Sequence, residues 1–314
     1  MTRVFLLITL FTLTSLVQIV TGQSAAKDVG KDEVILYVTA ADRHGRSVGG
    51  LKTEHFKIRE GKEPQSITAF SFADEPISVG ILVDVSGSTE GYLKAEFDAM
   101  AHFIEESAPD TEFFVMTFNT KQELLVDWTR TGDDVLKKLG TITIAPKSNT
   151  ALFDAMDAAL TKISGGTHRR KALVMFGDGM DNASKNSYGE IKSKWRRSDV
   201  QLYTLNFRSP ADASSQMAEQ ADSRMDELTG LTGGRAAYVA SWTELNEQAA
   251  RAAVELRSQY RIAYQPTIDV GNRKSDVWRE IEVSVDLPPD LAGGLGKVKA
   301  RTRRGYYLVQ SATK

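Results

Sequence analysis

From residue 34 the sequence "VILYVTAADRHGRSVGGLKTEHFKIREGKEPQSITAFSFADEP" alternates apolar with polar positions and is broken by Gly, Asp and Pro. Alternation of period two predicts short antiparallel strands. After Pro76 the rhythm changes. Apolar runs of strand length ("ISVGILVDV", "EFFVMTF", "KALVMFGDG", "VQLYTLNF", "AAYVA") are separated by helix-period segments at 93–107, 151–163, 188–197, 225–229 and 242–257. Strand alternating with helix predicts right-handed crossovers, hence an α/β, Rossmann-like, mostly parallel sheet with helices on both faces. "ELLVDWT" at 123–129 follows "EFFVMTF" after a turn at 119–122 that is too short for a crossover. It is expected to be an antiparallel edge strand.

Beyond 257 the two-residue alternation returns in "QYRIAYQP", "VWREIEVSVDLPP" and "KVKARTRRGYYLV". The flanks, 27–75 and 259–314, are expected to pair into one small antiparallel β-domain, with an α/β domain at 76–258 inserted between them. The alternative is two separate β-appendages. The polar stretch "SPADASSQMAEQADS" at 209–223 is expected to be a mobile loop or a poorly packed helix.

Composition bounds the function classes. With 314 residues, 41% of them apolar, the chain can bury a large core. A formal charge of −2 offers no general attraction to nucleic acid, and the basic run "KVKARTRR" at 297–304 reads as a solvated edge strand defended by charge. At the amino terminus Arg3 precedes the uncharged "VFLLITLFTLTSLVQIV" and then small polar residues, the pattern of a secretory signal over 1–23. An uncleaved anchor is the alternative, since the run lies at the lower edge of the about 17–25 residues that span a bilayer. Both readings imply export to the periplasm, cell surface or medium; the signal reading leaves no membrane insertion once the signal is cleaved. A cysteine count of 0 excludes disulfides, thiolate metal sites, a thiol nucleophile and a lipid-modified cysteine.

Ligands of open parallel sheets bind beyond the carboxyl ends of the strands, and three segments place oxygen-bearing side chains there. Asp84, Ser86 and Ser88 follow "ISVGILV"; Thr150 lies in "SNTALFDA", ahead of a helix; Asp178 follows a buried strand in "VMFGDGMDN". Each alone is an ordinary helix cap or turn. Together they are two carboxylates and three hydroxyls, an oxygen-only set suited to a hard divalent cation: Mg²⁺ fits best, with Mn²⁺ and Ca²⁺ as alternatives. The helix amino termini behind Ser88 and Thr150 repel a cation, so Asp84 and Asp178 must outweigh them. An ion so weakly neutralised can accept a carboxylate from a partner protein. That is adhesion chemistry and not turnover, so the chain is expected to be no enzyme.

The three motifs resemble the metal-ion-dependent adhesion site of von Willebrand factor type A domains, whose first motif is Asp-x-Ser-x-Ser. "LTGLTGGRAAYVA" is similar to the last strand region of that family, and the resemblance spans about 76–257. It implies that Ser86, Ser88 and Thr150 ligate the metal directly and that Asp84 and Asp178 often act through water. "PKSNT" departs from the family, which commonly has glycines ahead of the threonine. The flanks resemble an exported, von Willebrand type A related family common in acidobacteria, which has no established ligand.

Two rival readings use the same residues. A haloacid dehalogenase type phosphohydrolase would take Asp84 as nucleophile and hold Mg²⁺ with Asp178 and Asp181. Those enzymes usually need a second acid two residues after the nucleophile, where this chain has Ser86. The other rival is a structural scaffold with a non-functional metal site that binds by strand addition. The histidines share no metal-ligand spacing, and His102 is expected to be a packing residue; Trp128, Trp195, Trp242 and Trp278 are expected in core or inter-domain contacts.

Overall fold

The computed structural model describes residues 33–308 apart from 74, 90, 145–146, 209–213 and 268–276, so the segment read as a signal lies outside the described residues. Four strands come first: β1 (Val34–Ala41), β2 (Phe56–Glu60), β3 (Glu63–Gln65) and β4 (Ile67–Ala73). The α/β run follows as β5 (Ile77–Asp84), α1 (Leu93–Glu105), β6 (Glu112–Phe118), β7 (Gln122–Thr129), α2 (Gly132–Leu139) and α3 (Leu152–Ser164). It continues through β8 (Arg170–Gly177), α4 (Tyr188–Arg196), β9 (Gln201–Phe207), α5 (Gln216–Thr232), β10 (Arg235–Val239) and α6 (Trp242–Arg257). The chain then forms β11 (Gln259–Tyr264), β12 (Val277–Val285), α7 (Pro289–Leu295), β13 (Lys299–Arg301) and β14 (Gly305–Leu308).

The central sheet has six strands in the order β10-β9-β8-β5-β6-β7, parallel throughout except for β7, which runs antiparallel to β6 at the edge. Every residue of β5, β6 and β9 is buried, which is why these strands read as continuous apolar runs. Ile77, Val79, Ile81 and Val83 of β5 face a core shared with α1, α2 and α6, while Leu82 faces the core shared with α3, α4 and α5. Gly80 is required by the crowding on this second face: a Cβ there would lie 2.3 Å from Cζ of Phe114 and 2.4 Å from Cδ2 of Leu173.

The strand order reverses between β5 and β8, because successive strands go one way to β6 and the other way to β8, β9 and β10. Ligands of open α/β sheets bind at such a switch point. Val83 pairs with Phe176 across it, so Asp84 and the Gly177–Asp178 step emerge side by side at the carboxyl edge.

The strands of the two flanks build two four-stranded sheets, β13-β1-β11-β4 and β14-β12-β2-β3, each mixing strands from before and after the central unit. β1 pairs antiparallel with β11, and β2 with β12. One core lies between the sheets, with Leu36, Val38, Phe56, Ile58, Tyr260 and Ile262 among its buried members. Tyr260 anchors it, its ring 5.0 Å from Phe56 and its hydroxyl donating to the Val48 carbonyl.

Several local expectations change. Of the two alternatives for 209–223, residues 216–223 follow the helical one, as the first half of α5, and differ only in packing: Ser215 caps the helix by accepting from the Ala218 N–H, and Ala218 and Ala221 are buried. The remaining part of that stretch, 209–213, lies outside the described residues. His102 is exposed beside Glu105 and is not part of the buried stripe of α1. Trp242 is 42% exposed and stacks on Phe207 with ring centroids 4.2 Å apart. The basic run forms the edge strand β13, yet its arginines are not simply solvated: Arg301 pairs with the buried Glu255 at 2.6 Å, and Arg303 pairs with Asp199.

Candidate metal centre

Asp84 ends β5 and is 1% exposed. Its Oδ1 accepts the Ser86 N–H at 2.8 Å, turning the chain sharply at the sheet edge. Thr89 Oγ1 donates back to the Ser86 carbonyl at 2.9 Å and closes a short 3₁₀ turn over Gly87–Thr89. This turn brings Ser86 Oγ to 3.0 Å from Ser88 Oγ, and Ser88 Oγ donates to Asp178 Oδ2 at 2.7 Å. The other carboxylate oxygen of Asp178 accepts the Met180 N–H at 2.8 Å, the ordinary use of an aspartate at a turn.

The loop carrying Thr150 meets both others. The Ser148 carbonyl accepts the Gly87 N–H at 3.3 Å, and a Cβ at Gly87 would lie 2.8 Å from the Lys147 nitrogen. Thr150 donates its N–H to Asn182 Oδ1 at 2.8 Å, and its carbonyl accepts from Asn182 and Ala183 at 3.0 Å each. Thr150 is buried, but its hydroxyl makes no hydrogen bond to the other four oxygen donors. Lys147 adopts φ of 62°, the left-handed region that favours glycine, at the place where "PKSNT" departs from a glycine-rich pattern.

The electrostatics are those of a negative pocket. Burial first, and the charge of Asp178 second, push the Asp84 carboxyl up to about 7. Among the described residues neither Asp84 nor Asp178 has an ion-pair partner. The buried Arg208 beside Asp178 is committed elsewhere: it donates Nε to the Asp178 backbone carbonyl at 2.7 Å and pairs with Asp222 at 2.5 Å. Asp181 is engaged in accepting the Phe153 N–H at 3.2 Å and the Ser184 hydroxyl, so it holds the start of α3.

Glu96 escapes the motif reading. It stands in the first turn of α1 with the rest of the helix's buried stripe, Ala99, Met100 and Phe103, and is 1% exposed. Burial, then the charges of Asp84 and Asp178, hold its carboxyl well above the ordinary range. The signal for it was an acid at i, i+3, i+4, i+7 register with apolar residues.

The donor set fits a hard cation: two carboxylates, three hydroxyls, and no nitrogen or sulfur. Ser86, Ser88, Thr150, Asp84 and Asp178 are the residues that would hold it. Among the described residues no three His, Cys, Asp or Glu side chains gather into a metal-holding group, so such an ion depends on the hydroxyls.

Residues 79–180 match the model of the von Willebrand factor type A domain family. A search of the curated proteins found no match. Among solved structures the chain is similar to proximal thread matrix protein 1 from the mussel byssus, described with a zinc-occupied MIDAS motif, at 14% identity and a TM-score of 0.50, over 63% of this chain and 50% of that one. It is also similar to a von Willebrand factor type A protein from Catenulispora acidiphila, at 10% identity over 88% of this chain and 72% of that one, with a TM-score of 0.49. BatB from Bacteroides thetaiotaomicron aligns at 14% identity over 58% of this chain and all of its own, with a TM-score of 0.47.

Proposed function

We propose that the von Willebrand factor type A domain carried by this chain is an exported, non-enzymatic interaction module that binds an acidic group of a protein partner through a divalent cation. The cation, Mg²⁺ in first place, is held by Asp84, Ser86, Ser88, Thr150 and Asp178. Export rests on the 1–23 signal pattern, and among the described residues no helix is long and apolar enough to cross a membrane. The flanking segments, 27–75 and 259–314, serve as the base on which the 76–258 domain presents its carboxyl edge.

The observation that carries this reading is the convergence of three loops on one oxygen cluster at the switch point. Ser88 joins the first loop to Asp178, Gly87 joins it to Ser148, and Asn182 ties Thr150 to the third loop. Two carboxylates without a counter-ion among the described residues are costly unless a cation compensates them. Each serine hydroxyl keeps lone pairs for an ion while its hydrogen goes to a neighbouring oxygen. The phosphohydrolase alternative is less well supported, because Asp181 is engaged at the start of α3 and Ser86 occupies the place of the proton donor.

Calorimetric titration of Mg²⁺ and Mn²⁺ into the full chain tests the proposal. Saturable binding that is lost in Asp84→Ala is the expected result. Binding that is absent from the parent, or equal in both proteins, overturns it. Turnover of an aryl phosphate that depends on Asp84 would favour the enzymatic rival instead.

A further inference from the structure

Arg208 meets Asp178 through its backbone and leaves its carboxylate alone. The buried guanidinium donates both Nε, at 2.7 Å, and Nη2 to the Asp178 backbone carbonyl, while Nη1 reaches Asp222 Oδ1 at 2.5 Å and the Ala218 carbonyl at 3.4 Å, both on α5. The two carboxylate oxygens of Asp178 accept from Ser88 and Met180 instead. One arginine thus ties the loop of a candidate ligand to a helix that supplies none of the five oxygen donors.

Two ordinary explanations fall short. Pairing with Asp222 needs no burial of the arginine, because that carboxylate is itself partly exposed. Filling space beneath the loop would be served by an apolar side chain without the cost of desolvating a guanidinium. What the two bonds to one carbonyl add is direction. The peptide between Asp178 and Gly179 ends on a glycine at φ of 72°, where a Cβ would lie 2.7 Å from Asn206 Oδ1 and 3.3 Å from Met225 Cγ. Glycine is required there, yet it takes positive and negative φ about equally, so the local chain does not fix which way the carbonyl points. Arg208 fixes it, with two donors held in one rigid plane. A turned peptide would carry the Met180 N–H away from Asp178 Oδ1 and release the carboxylate whose Oδ2 meets Ser88.

We propose that Arg208 is a positioning residue of the cation pocket: it locks the Asp178–Gly179 peptide so that the Asp178 carboxylate faces the hydroxyls of the first loop, and it anchors that lock to α5 through Asp222. This rests on the cation-binding reading above. Field and position act with opposite signs here. A positive charge beside the pocket weakens cation binding through its field, whereas holding a ligand in place strengthens it. Removing Arg208 therefore separates the two effects, since the field alone predicts tighter binding and the positioning role predicts weaker.

The test combines Mg²⁺ and Mn²⁺ titration calorimetry with thermal melts in chelator, on the full chain and on Arg208→Lys, Arg208→Met and Asp222→Asn. Lys keeps the charge without the planar pair of donors, and Met removes both. Each is expected to bind Mg²⁺ at least about tenfold more weakly. Asp222→Asn loosens the far end of the lock without touching the pocket and is expected to weaken binding about threefold; it carries the test alone if the Arg208 variants fold poorly. Tighter binding by Arg208→Met with Arg208→Lys like the parent overturns the inference and leaves only the field of the arginine. Lower melting temperatures in chelator with unchanged Mg²⁺ affinity overturn it as well and assign Arg208 to the support of the fold. A parent chain that binds neither cation overturns the cation reading itself and this inference with it, whereas a parent that binds as tightly as its variants overturns this inference alone.

Discussion

Ser88 Oγ donates a 2.7 Å hydrogen bond to Asp178 Oδ2, joining two loops whose residues lie 90 positions apart in the chain. The bond spans the switch point between β5 and β8 and orients the Ser88 oxygen toward Ser86, whose hydroxyl is 3.0 Å away. Ser88→Ala removes the donor and leaves a poorly exposed carboxylate oxygen without one. The expected cost is about 1 kcal/mol of stability in chelator, measured by denaturant melts, with a loss of Mg²⁺ affinity of at least about tenfold. A variant that binds Mg²⁺ like the parent would show that this hydroxyl is only a loop staple.

The pocket should also register in the pH dependence of stability. Asp84 titrates at about 7 in the fold because of burial and the nearby Asp178 charge. In the unfolded chain an aspartate titrates near about 3.9. The folded state therefore holds this proton more tightly between the two values, and the ion-free protein gains stability as pH falls through that window and loses it as pH rises. The full difference corresponds to on the order of 4 kcal/mol. Glu96 acts with the same sign, since its carboxyl is also raised. Melts in chelator from pH 7.5 down to pH 5 are expected to move upward for the parent and far less for Asp84→Asn. Saturating Mg²⁺ flattens the parent's slope by favouring the ionised carboxylate. Identical slopes in parent and variant would remove Asp84 as the source.

Lys147 offers a test of loop strain. Its φ of 62° costs a side-chain-bearing residue about 1–2 kcal/mol, which glycine avoids. Lys147→Gly is expected to leave stability unchanged or raise it by up to about 1 kcal/mol, with part of the gain offset by the greater entropy of the unfolded chain. Lys147→Ala, which keeps the strain, should show no such gain. The comparison by thermal melts separates the backbone effect from the loss of a positive charge near the pocket. Destabilisation by Gly greater than by Ala would mean that the loop is not strained at this position.

The legible parts of the sequence were those where burial is complete. β5, β6, β8 and β9 are almost wholly buried, so their apolar runs stand out, and the short turn before β7 revealed its antiparallel direction. The first half of α5 was obscured because it buries small residues, Ala218 and Ala221, which contribute little apolar periodicity. α2 buries only Val135 and Leu139 over eight residues, too short a stripe to separate from a loop. At the site, Asp84, Ser86, Ser88 and Asp178 could be picked out because polar groups at the ends of buried strands are conspicuous. Glu96 could not, because a glutamate in a first helical turn is commonplace; its cost appears only when the fold sets it near two other acids. His102 shows the reverse error, where proximity to Phe103 in sequence concealed its position on the outer face of α1.

The junction between the central domain and the flanking sheets yields the largest expected stability effect. Glu255 of α6 is 1% exposed and lies between Arg301 of β13, at 2.6 Å, and Arg235 of β10, at 3.3 Å. One carboxylate thus compensates two arginines drawn from two different sheets. Glu255→Ala leaves both guanidinium groups in a poorly hydrated place without their anion. The expected destabilisation is about 3–5 kcal/mol, read from denaturant melts. Arg301→Met should cost less, because Glu255 keeps Arg235 and the apolar stem of the side chain is replaced. If both variants lose less than about 1 kcal/mol, the cluster is hydrated and contributes only as a surface ion pair does. Amide hydrogen exchange adds a positional readout: faster exchange in β13 and the carboxyl end of α6, with β5 unchanged, is the pattern expected when this junction loosens while the central sheet stays intact.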